Sequence, residues 1–183
     1  MRYLKNTQDH GLVLDPNSDI LKVDAYPDAD FSGIYGQKKH DDPACAKSFT
    51  GFIITFADCP VLWISKLQTV TAIYTMEAEI ISLAHFCREM FPIIYINQSI
   101  VKAVGLPVGV PSMKVTFYED NSGAIILART LPPTFTPRSK YYATKTIWFL
   151  DEIIKRKIVL LKIATTEQLE DLFTEVTHRE TFE

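Results

Sequence analysis

An α/β fold built on a mixed sheet is predicted by three features of this 183-residue sequence. Two apolar, strand-like runs, Phe52 to Phe56 and Val61 to Ser65, are separated only by Ala57-Asp58-Cys59-Pro60 and read as a hairpin. After the hairpin, helical and strand periods alternate, the pattern of a sheet covered by helices. Between Met113 and Ala124 the period changes within a few residues. Met113, Val115, Phe117 and Glu119 alternate against Lys114, Thr116, Tyr118 and Asp120 as in a strand, Asn121, Ser122 and Gly123 break it, and the apolar run 124–128 has the composition of a short buried helix.

Composition narrows the class. The length suits one well-buried domain and is short for two. With 47% hydrophobic and 22% charged residues and no low-complexity run, the chain reads as globular. No apolar run approaches the ~20 residues of a membrane span, and the N-terminal residues lack a signal-peptide core. Cys45, Cys59 and Cys87 form no CxxC pair, which argues for reduced thiols inside a cell and against a structural zinc site. A net charge of -3 provides no global attraction to nucleic acid. Local basic clusters remain at Lys38-Lys39-His40, at Arg138 with Lys140 and Lys145, and at Lys155-Arg156-Lys157.

Residues 1–19 read as a leader closed by the turn Asp15-Pro16-Asn17-Ser18. A strand from Ile20 to Tyr26 runs into Pro27-Asp28-Ala29-Asp30, where the two acids share a face if the chain stays extended, a spacing that suits a metal. Proline in a central strand removes a ladder donor beside Asp28. Residues 36–48 are polar and read as a loop. Thr75 is the predicted N-cap of a long helix with Met76, Ile80, Leu83, Cys87, Met90 and Ile94 as its buried stripe and a kink at Pro92. Glu77 and Glu79 fall on opposite margins of that stripe, and periodicity does not choose between them. Asp120 closes the fourth strand beside a helix start, a position for either metal binding or helix capping. A helix over Ser139–Ile154 with Ile147, Leu150 and Ile154 inward, a fifth strand over Ile158–Ile163, and a terminal helix over Thr166–Thr174 carrying Glu170 and Asp171 complete the order.

Acidic residues thus recur at Asp28-Ala29-Asp30, Glu77-Ala78-Glu79, Glu119-Asp120-Asn121 and Asp171. In this order they resemble ribonuclease H, and more narrowly the ribonuclease H domain of the Pol polyprotein of Ty1/copia-type retrotransposons. The matching words are Asp28 to Gly33, Lys47 to Phe52, Trp63 to Gln68, Met76 to Glu79, Glu119 to Ala124, Pro137 to Lys140 and Glu167 to Thr174. Residues 2–7 resemble the segment that joins the reverse transcriptase to this domain. The resemblance implies a leader over 1–19, a ribonuclease H-like domain over 20–176 with a five-stranded mixed sheet flanked by helices, and a tail over 177–183.

It further implies that Asp28, Glu79, Asp120 and Asp171 are the catalytic and metal-binding carboxylates. Glu79 is preferred to Glu77 because Ala78 to Leu83 matches the broader pattern around the family's glutamate. Asp30, Glu77, Asn121, Ser122, Arg138 and Lys140 are candidates for supporting these ligands or for binding substrate, Asp30 and Glu77 for the former. The implied cofactor is two Mg2+ ions, with Mn2+ as a substitute, and the implied activity is hydrolysis of the RNA strand of RNA/DNA hybrids during reverse transcription. The implied partners are the hybrid and an upstream reverse transcriptase domain, with no membrane. The implied location is intracellular, in a cytoplasmic particle or the nucleus.

The residue chemistry supports the carboxylate assignment that the resemblance implies. Phosphodiester hydrolysis needs a water activated near neutral pH and a stabilised leaving oxygen, and two divalent ions about 4 Å apart provide both. Hard oxygen ligands suit Mg2+. The sequence departs from the family pattern at Pro27, at Tyr141 and Trp148 where histidines are common, and at Glu175 in place of a lysine. Those departures carry the alternative of a catalytically inactive, decayed or repurposed ribonuclease H-like domain with a nucleic-acid-binding or structural role.

Overall fold

The computed structural model describes residues 22–36, 42–105, 113–129 and 140–164, with isolated positions nearer the termini. Its sheet starts from the hairpin. Strands β2 (Phe49–Phe56) and β3 (Cys59–Leu67) pair antiparallel around a connection of only Ala57 and Asp58. Both turn residues have positive φ, 49° and 67°, and such a turn twists in the same sense as the strands it joins. The link is therefore shorter than the four residues read from the sequence, and Cys59 and Pro60 belong to β3.

Strand β1 (Lys22–Asp30) pairs antiparallel with β2, from Val23↔Phe56 to Asp30↔Phe49. On its other side it runs parallel to β4 (Lys114–Glu119), but only from Lys22↔Lys114 to Ala25↔Phe117. The strand was expected to end at Tyr26; it passes through Pro27 and reaches Asp30. Beyond Ala25 it has a partner on one side only, so Pro27 occupies a local sheet edge, where proline is tolerated. Strand β5 (Val159–Lys162) lies parallel to β4, and the order across the mixed sheet is β3-β2-β1-β4-β5.

Helix α1 (Thr75–Val104) buries Ile80, Leu83, Cys87, Met90 and Ile94, the predicted stripe, with Met76 packed at its margin. It continues through Pro92 and ends at Gly105 in the left-handed conformation, whose N–H donates to the Lys102 carbonyl. The N-cap is Tyr74 rather than Thr75, and it gives no side-chain cap. Instead the Glu77 carboxylate accepts the Ile73 N–H at 2.8 Å. Val23 and Ala25 of β1, Phe52 and Ile54 of β2, and Val115 and Phe117 of β4 form the sheet side of this core. Edge-to-face contacts from Phe52 to Phe86 (5.5 Å) and from Phe86 to Phe117 (4.7 Å) join helix and sheet.

Helix α2 (Ser122–Arg129) follows β4 directly, and α3 (Lys140–Lys155) packs on α1. The inward face of α3 differs from expectation. Ile147 and Ile154 are about half exposed, while Thr146, Phe149, Leu150 and Ile153 are buried. The helix has turned to bury Phe149, the larger apolar surface. The predicted terminal helix over Thr166–Thr174, the leader and the Lys38-Lys39-His40 cluster lie outside or largely outside the described residues. Among the described residues, no helix is long and apolar enough to cross a membrane.

Candidate active site

Because β1 and β4 are parallel neighbours, their carboxyl ends lie at one end of the sheet. Asp28 stands near the end of β1, and Asp120 directly follows β4. Glu79 reaches the same place from the start of α1. One carboxylate oxygen from each of Asp28, Glu79 and Asp120 lies within 4.8 Å of the other two.

Local hydrogen bonds fix the supports. Ser82 Oγ donates to the Asp28 carbonyl at 2.6 Å, joining α1 to β1 beside the cluster. The backbone N–H of Ala29 donates to the Glu79 carboxylate. Asn121 Oδ1 accepts from Gly123 N (2.9 Å) and Ala124 N (3.1 Å), capping α2. The sequence left Asp120 between capping and metal binding; in the fold Asn121 is the cap, and Asp120 joins the acids.

Their electrostatics are unfavourable for the chain alone. Glu79 is 7% exposed, and its Oε2 has no hydrogen-bond partner. Burial, then the negative charges of Glu119, Asp28 and Asp120, raise its pKa far above the carboxylate range, with the Ala29 N–H opposing. Glu119 is likewise raised, chiefly by burial, while Asn121 N donates to its Oε1 at 3.1 Å and opposes the shift. Its Oε2 is also buried without a partner. An all-oxygen cluster with orphaned buried carboxylate atoms fits a hard divalent cation, whose charge reverses the repulsion.

The other expected site residues separate. Asp30 is outside the three-acid group and folds against Gly33, where an added Cβ would fall 1.5 Å from Asp30 Oδ2. Glu77 closes the start of α1. Ser122 Oγ accepts from Lys162 Nζ at 2.7 Å, tying α2 to β5. Arg138 and Asp171 lie outside the described residues, as does the Lys140 side chain. Sequence reasoning missed three supports. Glu119 shares the strand parity of Val115 and Phe117, which is the signal for a buried acid. Ser82 had no periodic signature. Gln68, 5% exposed, donates through Nε2 to Thr50 Oγ1 at 3.1 Å and to the Ala78 carbonyl at 3.0 Å, holding β2 and β3 to the start of α1.

This sheet order, with acids at the ends of its two central parallel strands and on the first helix, is the ribonuclease H fold. The LC11-RNase H1 structure in complex with RNA/DNA hybrid superposes with a TM-score of 0.52 and 13% identity, covering 88% of this chain and 99% of that one. The N-terminal RNase H domain of rv2228c from Mycobacterium tuberculosis gives 0.53 and 11%, covering 84% and 91%. Over its whole length the chain is similar in sequence to Pol polyproteins of Ty1/copia-type transposons. It is 29% identical to the retrovirus-related Pol polyprotein from transposon TNT 1-94 of Nicotiana tabacum and 28% identical to that from transposon RE2 of Arabidopsis thaliana. The chain spans 12% and 11% of the length of these two relatives. No family model matches it.

Proposed function

We propose that this domain is a divalent-metal-dependent endoribonuclease that hydrolyses the RNA strand of RNA/DNA hybrids during retrotransposon reverse transcription. The observation that carries the reading is the convergence of Asp28, Glu79 and Asp120 within 4.8 Å, in a fold shared with a protein seen on an RNA/DNA hybrid. Asp28, Glu79 and Asp120 would hold Mg2+ or Mn2+, with Asp171 as a further ligand. Two such ions would supply an activated water and stabilise charge on the leaving oxygen.

The chain's own part is positioning. Ser82 and the Ala29 N–H hold two of the three acids against the sheet end. Asn121 sets the start of α2, keeping Asp120 at the strand terminus. In the polyprotein, an upstream reverse transcriptase domain would deliver the hybrid, inside a cytoplasmic particle or the nucleus. The inactive, repurposed alternative is not favoured, because none of the three described acids has been replaced.

Cleavage of strand-labelled substrates tests the reading. RNA in an RNA/DNA hybrid is expected to be cut with Mg2+ or Mn2+, and duplex DNA left intact. Cutting of duplex DNA at a comparable rate would replace this reading with a general metal-dependent nuclease.

A further inference from the structure

The fold holds one buried acid that neither packing nor pairing explains. Glu119 ends β4 with the inward parity of Val115 and Phe117, a position that an apolar side chain would fill, and it is 1% exposed. Asp24, the other strand acid buried to this degree, is matched by Lys22 at 2.6 Å. Glu119 has no such cation among the described residues. Its Oε1 accepts the N–H of the amide that links Asp120 to Asn121, at 3.1 Å. Its Oε2 is buried with no hydrogen-bond partner. A neutral acceptor would hold the Asn121 N–H as well, so that contact accounts for one oxygen and not for the charge.

A carboxylate buried without a counter-charge is costly, and an orphaned oxygen of this kind calls for a partner from outside the chain. Its position identifies that partner. Among the acids acting on Glu79, the charge of Glu119 is the strongest, ahead of Asp28 and Asp120, and those two act in turn on Glu119. Glu119 therefore stands against the acidic cluster from the core side. It is not one of the three acids whose oxygens lie within 4.8 Å of one another, so it sits one layer behind the ion that those three would share. Mg2+ keeps several of its waters, and a water on the ion turns its hydrogens outward to acceptors in that outer layer.

We propose that Glu119 is a positioning residue of the metal centre: Oε1 sets the amide after Asp120 and so aims the Asp120 carboxylate, while Oε2 accepts a hydrogen bond from a water carried by the divalent ion. The burial is unfavourable in the metal-free chain and is offset when the ion brings its hydration shell. The assignment rests on the proposed function, since it takes Asp28, Glu79 and Asp120 as the ligands.

Mg2+ affinity of the whole chain, measured by calorimetry without substrate, tests it. In Glu119→Gln the amide oxygen still accepts from Asn121, but the remaining group is an NH2 donor that cannot accept from the water. This variant is expected to melt no lower than the wild type without metal and to bind Mg2+ about tenfold more weakly. Glu119→Leu, which removes both oxygens, is expected to lose at least as much. Wild-type affinity in folded Glu119→Gln would overturn the proposal, and a loss confined to Glu119→Leu would leave Oε1 as a turn clamp alone. The number of waters on bound Mn2+, read from water-proton relaxation, is expected to be equal in the wild type and Glu119→Gln. One additional water in the variant would also overturn the proposal, since Glu119 would then be a direct ligand. If the wild type binds Mg2+ and Glu119→Gln binds it equally, only the role of Glu119 fails. A wild type that binds Mg2+ and Mn2+ no better than Asp120→Asn removes the metal reading itself.

Discussion

Glu79 concentrates the electrostatic cost of the site. It is buried among three other acids, with one oxygen unpartnered. Glu79→Gln keeps its shape and removes the ionisable group. At pH 8 without divalent ions, this variant is expected to be more stable than the wild type by about 1 kcal/mol or more, raising Tm by about 2–4 °C per kcal/mol. Below about pH 4.3 the carboxyl is protonated in both folded and unfolded chains and the advantage should vanish. Thermal melts at the two pH values check this, and equal Tm values at pH 8 would show that Glu79 carries no such cost.

The same raised pKa fixes the sign of a pH effect. With the folded value above the unfolded one, Glu79 contributes stability that is complete below the unfolded pKa and is lost as pH rises through the folded value. Metal-free protein should therefore lose this contribution between mildly acidic and alkaline pH. Metal binding must displace the proton, so Mg2+ affinity should increase over the same window. Titration of Tm with Mg2+ at pH 6 and pH 8 reads both effects. A larger Mg2+ shift at pH 6 would contradict them.

At the scale of elements, the site depends on α1 being fixed to the ends of β1 and β3. Ser82 is buried and bonded to the Asp28 carbonyl. Ser82→Ala is expected to cost about 1 kcal/mol, because it leaves a part-buried carbonyl short of a partner. Urea unfolding measures it, and an unchanged midpoint would show the bond to be dispensable. Elements with strong periods were legible in the sequence: the stripe of α1, the hairpin, and the change from β4 to α2. What failed were choices set by tertiary neighbours. Nothing local shows that β4 leaves β1 after Ala25, which is what lets Pro27 remain in a strand. Nothing local makes Phe149 outweigh Ile147 and Ile154 on α3, since that follows from the shape of the core around α1. Periodicity could not separate Glu77 from Glu79, and the fold does so by using one as a helix-end acceptor and burying the other.

For the whole molecule, the sheet brings together acids separated by about ninety residues of chain, from Asp28 to Asp120. Their order in the sequence announced the fold, but their convergence required the parallel pairing of β1 with β4 and the placement of α1. A divalent ion held by these acids would attract phosphate where the chain alone would repel it. If Asp28, Glu79 and Asp120 form a working metal site, activity must depend on both the ion and the acids. The most direct test is cleavage of labelled RNA in an RNA/DNA hybrid by the folded wild type and by Asp120→Asn, with Mg2+, with Mn2+ and with chelator. The wild type should cut only with a divalent ion, and the variant at least about a hundredfold less. Cutting that persists in chelator, or that survives Asp120→Asn undiminished, would contradict it.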